Sequence, residues 1–286
     1  MRAQPAYHYT PIFTRPVPGF PVLFPMNVHG NPRISESSAL RALPLLTILS
    51  LKSELCNLYS MNPSQPSGQD GHQIANRIDH TLLKPDCSPR DIENLCADAI
   101  HFGFRAVCVY PAFIPLVVQQ LSGSPVIPCT VAGFPHGASL PEVKAFEAKS
   151  AAQEGAREVD MVMAIWAVKS RLYQAAGHEI RSVVDAVGSD CAVKVILETC
   201  LLSPEEITTA CQLAVDNGAA FVKTSTGFST GGATVRDVTL MRQTVGSAIG
   251  VKASGGIRTA ADAMAMIRAG ANRIGTSAGR QIVTEA

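Results

Sequence analysis

The 286-residue chain carries no excess of either charge: 24 Lys and Arg stand against 23 Asp and Glu, a formal net charge of +1. That balance creates no global field to draw the protein onto nucleic acid or an anionic membrane, so any anion site has to be local. The eight cysteines (Cys56, Cys87, Cys96, Cys108, Cys129, Cys191, Cys200 and Cys211) include no Cys-x-x-Cys pair and no accompanying histidine spacing. This argues against a zinc cage or a secreted disulfide framework and fits thiols buried in a reducing compartment, which points to the cytoplasm. Long hydrophobic runs are missing too. The longest near the start, Ala39 to Leu51, is interrupted by Arg41 and Pro44 and is too short to span a bilayer. It also lies too far from the N-terminus for a secretory signal. With 47% hydrophobic and 16% charged residues, the chain can build a substantial core.

Residues 1–73 lack a sustained helical or strand period and hold ten of the 19 prolines. They read as a largely unstructured N-terminal extension ahead of a domain at 74–286. Arg2, Arg15, Arg33 and Arg41, with few acids, give it a weak likeness to an organellar transit peptide, but its prolines oppose an amphipathic helix. Met61, opening Met-Asn-Pro-Ser-Gln, is an equally good start, and the residues leave both readings open.

From about Gln73, short runs of Val, Ile and Ala alternate with longer segments of helical period, the pattern of repeated βα units on a parallel sheet. Strands are expected at 77–82, 106–110, 126–132, 158–163, 192–198, 221–224, 250–253 and 273–275. Ser88-Pro-Arg-Asp and Ser203-Pro-Glu-Glu each offer an N-cap, a proline at the first helical position and acids in the first turn. The segment from Leu140 reads as an exposed helix with Glu142 and Lys149 on its polar side. Eight strands in about 210 residues predict an α/β fold, a (β/α)8 barrel of the TIM-barrel type. The rival, a doubly wound open sheet, is disfavoured because Leu82-Leu-Lys-Pro-Asp is not a glycine-rich turn.

Active sites of such barrels form where strands end. Lys223 and Lys252 end the sixth and seventh strands, and two amines brought together there favour an uncharged nucleophile able to form an imine with a carbonyl. Asp160 shares the inward parity of Glu158 and Val162, and a carboxylate pointing inward there needs those lysines as partners and can move protons. Asp79 is a weaker candidate of the same kind, and His80 reads as structural. Glycine clusters at 226–232, 254–258 and 275–279 follow three successive strands and suggest a phosphate site of backbone N–H groups. Cys108 reads as a packed thiol with at most a secondary role, and Cys200 likewise.

Together, Ile78-Asp-His-Thr-Leu-Leu-Lys-Pro, Val107-Cys-Val-Tyr-Pro, Ala132-Gly-Phe-Pro-His-Gly, Glu158-Val-Asp-Met-Val, Phe221-Val-Lys-Thr-Ser-Thr-Gly-Phe, Val251-Lys-Ala-Ser-Gly-Gly-Ile-Arg-Thr and Ile274-Gly-Thr-Ser-Ala-Gly closely resemble the deoxyribose-phosphate aldolase family. The resemblance runs collinearly over about 74–282. It implies that Lys223 forms the Schiff base, Lys252 lowers the pKa of Lys223 and Asp160 joins the proton relay. It further implies substrate contacts at Asp79, Cys108, Thr226, Gly227, Gly255, Gly256, Thr276 and Ser277. The implied reaction is reversible cleavage of 2-deoxy-D-ribose 5-phosphate to glyceraldehyde 3-phosphate and acetaldehyde, with no metal and no cofactor. Members are commonly dimers, which implies a homodimer. Ala164-Ile-Trp166 and Phe228 depart from residues common in the family, and no tyrosine-ending tail follows. These departures keep open a barrel that binds a phosphosugar without turning it over, and a different Schiff-base aldolase remains the other alternative.

Overall fold

Every expected run of branched residues becomes a strand, because the face that a strand turns to the covering helices needs apolar side chains. The computed structural model describes residues 74–286, and what was expected of residues 1–73 lies outside them. The strands are β1 (Ile78–Thr81), β2 (Ala106–Val109), β3 (Ile127–Ala132), β4 (Glu158–Val162), β5 (Ala192–Ile196), β6 (Phe221–Lys223), β7 (Gly250–Ser254) and β8 (Arg273–Thr276). All ladders are parallel, neighbours follow chain order, and β1 pairs with β8 to close the barrel. The chain therefore folds as the expected (β/α)8 barrel.

The helices are α1 (Pro89–Phe102), α2 (Ile114–Gln120), α3 (Pro141–Gln153), α4 (Ile165–Lys169), α5 (Tyr173–Val187), α6 (Pro204–Asp216), α7 (Val235–Val245), α8 (Ala260–Arg268) and α9 (Gly279–Thr284). Ser88 and Ser203 form capping boxes with Asp91 and Glu206 at the starts of α1 and α6. Such caps contribute about 1 kcal/mol each. Val159 and Met161 of β4, and Met163 just beyond it, pack with Ile180 and Val183 of α5 in the layer between barrel and helices. The parity read from the sequence thus leaves Glu158 and Asp160 facing inward.

Two local expectations need correction. The fifth strand stops at Ile196 instead of reaching Glu198, because Glu198 adopts a left-handed backbone with φ 57 and ψ 63. Helix α3 has Glu142 and Lys149 exposed, but Lys144 on the same helix is completely buried. Leu140, Val143 and Phe146 stand exposed along α3, an apolar face that was not identified in the sequence. Among the described residues no helix is long and apolar enough to cross a membrane.

Candidate active site

Small barrels usually fill their interior with branched apolar residues. This barrel instead places ionisable side chains from six strands inside, each 5% exposed or less: Asp79, Glu158, Asp160, Lys194, Lys223, Lys252 and Arg273. Ladder register sets their neighbours, pairing Lys223 with Lys252 across β6 and β7, and Asp160 with Lys194 across β4 and β5. Gly275, opposite Asp79 on β8, makes the packing possible, since a Cβ there would lie 2.9 Å from Lys252 Cε.

Asp160 is the hub. Its Oδ2 accepts from Lys223 Nζ at 2.8 Å and Lys252 Nζ at 2.7 Å, and its Oδ1 accepts from Lys194 Nζ at 2.8 Å. Lys252 also meets Asp79 Oδ2 at 2.5 Å, and Lys194 meets Glu158 Oε2 at 2.6 Å and Asp79 Oδ2 at 3.8 Å. Arg273 closes the floor, donating to Asp79 Oδ1 at 2.8 Å and Glu158 Oε2 at 2.6 Å. Four cations face three carboxylates. Lys194 makes three carboxylate contacts, Lys252 and Arg273 two each, and Lys223 one.

The surroundings fix most of these charges. Burial acts to raise the Asp160 carboxyl, but Lys194, Lys223 and Lys252 outweigh it and hold it well below the usual carboxylate range. Asp79 is lowered in the same way, burial being overcome by Arg273, Lys252 and Lys194. Burial opposes the Lys252 ammonium, yet Asp160 and Asp79 raise its pKa above that of an ordinary lysine. Lys252 is therefore a standing cation beside Lys223. Lys194 is raised too, burial being outweighed by Asp160, Cys129, Glu158 and Asp79.

Cys108 pairs with Cys129 across β2 and β3, and both thiols are buried against this cluster. A hydrogen bond from the Cys129 thiol is the main influence holding Cys108 below its ordinary value, while burial pushes Cys129 up. Cys108, Cys129 and Asp160 bring their ligand atoms within 4.8 Å of one another, a donor set for a soft cation. The Lys194 ammonium already occupies the cationic place there, 3.3 Å from Cys129 Sγ and 2.8 Å from Asp160 Oδ1.

The glycine loops after β6, β7 and β8 are knit into one rim. Ala233 N donates to Ser254 O and Gly255 O, each at 3.0 Å, and Thr276 Oγ1 donates to Ile257 O at 2.7 Å. Gly255, at φ +84, lies against Gly232 and Gly227, so a side chain there would be strained and crowded. Gly227, Gly256 and Ser277 are exposed at this rim, whereas the Thr226 and Thr276 side chains are buried beneath it. Phe228 stands 52% exposed with its ring edge-on to Phe134, centroids 5.3 Å apart. The loops after β3 and β4 are tied from outside the barrel. Lys144 Nζ, ion-paired to Glu179, donates to Gly137 O and Val162 O, and Glu179 accepts from Ala164 N.

Residues 74–285 match the model of the DeoC/LacD family aldolases. The chain belongs to this aldolase family. A deoxyribose-phosphate aldolase of Listeria welshimeri is 56% identical over 211 residues, covering 74% of this chain and 95% of that protein. One of Thermoanaerobacter sp. is 58% identical over 214 residues, covering 74% and 96%. The solved deoxyribose phosphate aldolase of Aeropyrum pernix, described as a tetramer, superposes with a TM-score of 0.69 at 34% identity over 77% of this chain and 97% of that one.

Within this aldolase barrel, Lys223, Lys252, Asp160, Asp79 and Cys108 gather in the interior, while Thr226, Gly227, Gly255, Gly256 and Ser277 lie on the adjoining loops and Thr276 ends β8 beside them. Sequence reasoning missed Lys194, Glu158, Arg273 and Cys129. Lys194 was within reach, because Ala-Val-Lys-Val-Ile buries a lysine in a strand just as Phe-Val-Lys does. Arg273 opens its strand, where a cation ordinarily reaches solvent, so only the closed barrel reveals its partners. Trp166 stands 54% exposed on α4.

Proposed function

We propose that this member of the aldolase family cleaves 2-deoxy-D-ribose 5-phosphate reversibly, in deoxyribose phosphate catabolism, through a Schiff base on Lys223. The observation that carries the assignment is the unequal sharing of carboxylates. Among the four cations inside the barrel, Lys223 holds one ion pair and the others hold two or three, so loss of its charge breaks the fewest contacts. The standing charge on Lys252, bound to the same oxygen of Asp160, makes a second ammonium there costly.

The neutral Lys223 amine adds to the C1 aldehyde and loses water to give an iminium. That electron sink draws the C2–C3 bonding pair as the C3 hydroxyl loses its proton, releasing glyceraldehyde 3-phosphate. The resulting enamine takes a proton at C2, and hydrolysis frees acetaldehyde and the amine. Asp160 is bound tightly enough to lysines to stay ionised, so its part in the proton relay is to aim both amines and to orient the water that exchanges protons with the substrate. Asp79 and Cys108 border this space. Gly227, Gly255, Gly256, Thr276 and Ser277 offer backbone and hydroxyl groups to the phosphate, and Thr226 shapes the first of those loops. Phe228 supplies an apolar edge and no charge, so phosphate affinity rests on these groups.

Residues 74–286 form the catalytic domain, with 1–73 as an extension of a cytoplasmic protein. The assembly inferred is a homodimer that covers Leu140, Val143 and Phe146, and light scattering at twice the chain mass would support it. The functional reading itself is tested by Lys223→Ala. Turnover of 2-deoxyribose 5-phosphate should disappear while the circular dichroism spectrum persists, and a variant with near-normal rate refutes the assignment.

A further inference from the structure

Glu198 is one of two non-glycine residues with positive φ among the described residues, the other being Arg171. Residues held in this region persist only where their surroundings over-determine them, and they cluster at functional sites. Here the surroundings are visible. Leu197 N donates to Lys223 O at 2.9 Å and Thr199 N donates to Thr224 O at 3.0 Å, so the backbone on both sides of Glu198 is fastened to the end of β6. The left-handed turn aims the carboxylate, 2% exposed, at the loop that follows Lys223.

That carboxylate differs from the other buried acids. Asp79, Glu158, Asp160 and Glu179 each pair with a cation, whereas the polar contacts of Glu198 are with Thr226 and, at 4.0 Å, the Cys200 thiol. Thr226 N donates to its two oxygens at 3.2 and 3.4 Å, and Thr226 Oγ1 donates to Oε2. The same hydroxyl accepts from Phe228 N at 3.1 Å. The Thr226 hydroxyl proton is thus committed within the turn, and the anion fixes the conformation of residues 226–228.

We infer that Glu198 is a positioning residue for the phosphate end of the substrate. Resting on the aldolase reading above, it presets the Thr226–Phe228 turn so that the apex at Gly227 faces the phosphate without ordering on binding. A buried carboxylate whose partners are loop donors is a costly way to hold a loop. Its benefit falls on a ligand that uses that loop. Its loss should therefore weigh on substrates in proportion to their use of the phosphate.

The test compares 2-deoxyribose 5-phosphate with 2-deoxyribose for the full chain and for Glu198→Gln, Glu198→Ala and Thr226→Val. The specificity ratio, kcat/KM with phosphate over kcat/KM without, should fall about tenfold or more, the scale of one lost charge-assisted hydrogen bond. The fall should lie mainly in KM, and Glu198→Gln should retain more of the ratio than Glu198→Ala. Thr226→Val removes the same contact from the other end, so it carries the test where Glu198→Ala does not fold. Equal losses on both sugars, or none, would overturn the inference. Wild-type protein that turns over neither sugar and takes no borohydride label would instead sink the aldolase reading.

Discussion

Removing the Lys194 ammonium tests whether the barrel interior is held as one charge network. In Lys194→Met the stem keeps its packing while the ammonium leaves Glu158 Oε2 at 2.6 Å and Asp160 Oδ1 at 2.8 Å, both in groups with no exposed side-chain surface. Breaking a buried pair from one side costs about 3–5 kcal/mol. The lower end applies here, because Arg273 still holds Glu158, Lys223 and Lys252 still hold Asp160, and removing one of four cations leaves three against three carboxylates. About 3 kcal/mol in a domain of this size corresponds to a fall in Tm of roughly 6–12 °C. Differential scanning calorimetry would measure it beside the surface control Lys149→Ala, expected within about 0.5 kcal/mol of wild type. A Lys194→Met protein that melts within 2 °C of wild type would refute the network.

Two further outcomes concern pH. Lys252→Leu removes the cation beside Lys223 and leaves Asp160 Oδ2 to Lys223 alone, and both changes favour the Lys223 ammonium. The kcat profile should move to higher pH, and an unchanged profile would remove Lys252 from the tuning role. His80, buried with Asp98 3.9 Å away, is lowered by that burial from 6.5 to about 4, against the pull of Asp98. The unfolded chain then binds the proton more tightly, so stability falls as pH drops from 6.5 to about 4, by about 3 kcal/mol in all. His80→Gln should flatten urea midpoints across that window. The lowered Asp79 and Asp160 contribute stability that is present above the unfolded carboxyl pKa and is lost on further acidification, so this second fall should remain in the variant.

Much of this was legible because the βα alternation and the period-two parity of β4 are local properties of the chain. Parity alone turned Asp160 inward, and the strand ends alone brought Lys223 and Lys252 side by side. What stayed hidden depends on closure. Arg273 and Asp79 are 194 positions apart and meet because β8 pairs with β1. The burial of Lys144 depends on the Glu179 carboxylate of α5, the Gly137 carbonyl and the carbonyl that ends β4, none of which its own helix announces. Glu198 reads as a continuation of Ala-Val-Lys-Val-Ile-Leu, and only its backbone angles reveal that the strand has ended.

The proposed imine lies on one particular lysine among the four cations inside the barrel. Borohydride reduction in the presence of 2-deoxyribose 5-phosphate, followed by peptide mass mapping, tests it most directly. One irreversible adduct on Lys223 is expected, with Lys252 and Lys194 unlabelled. An adduct on Lys252, or turnover with no reducible intermediate, would contradict it.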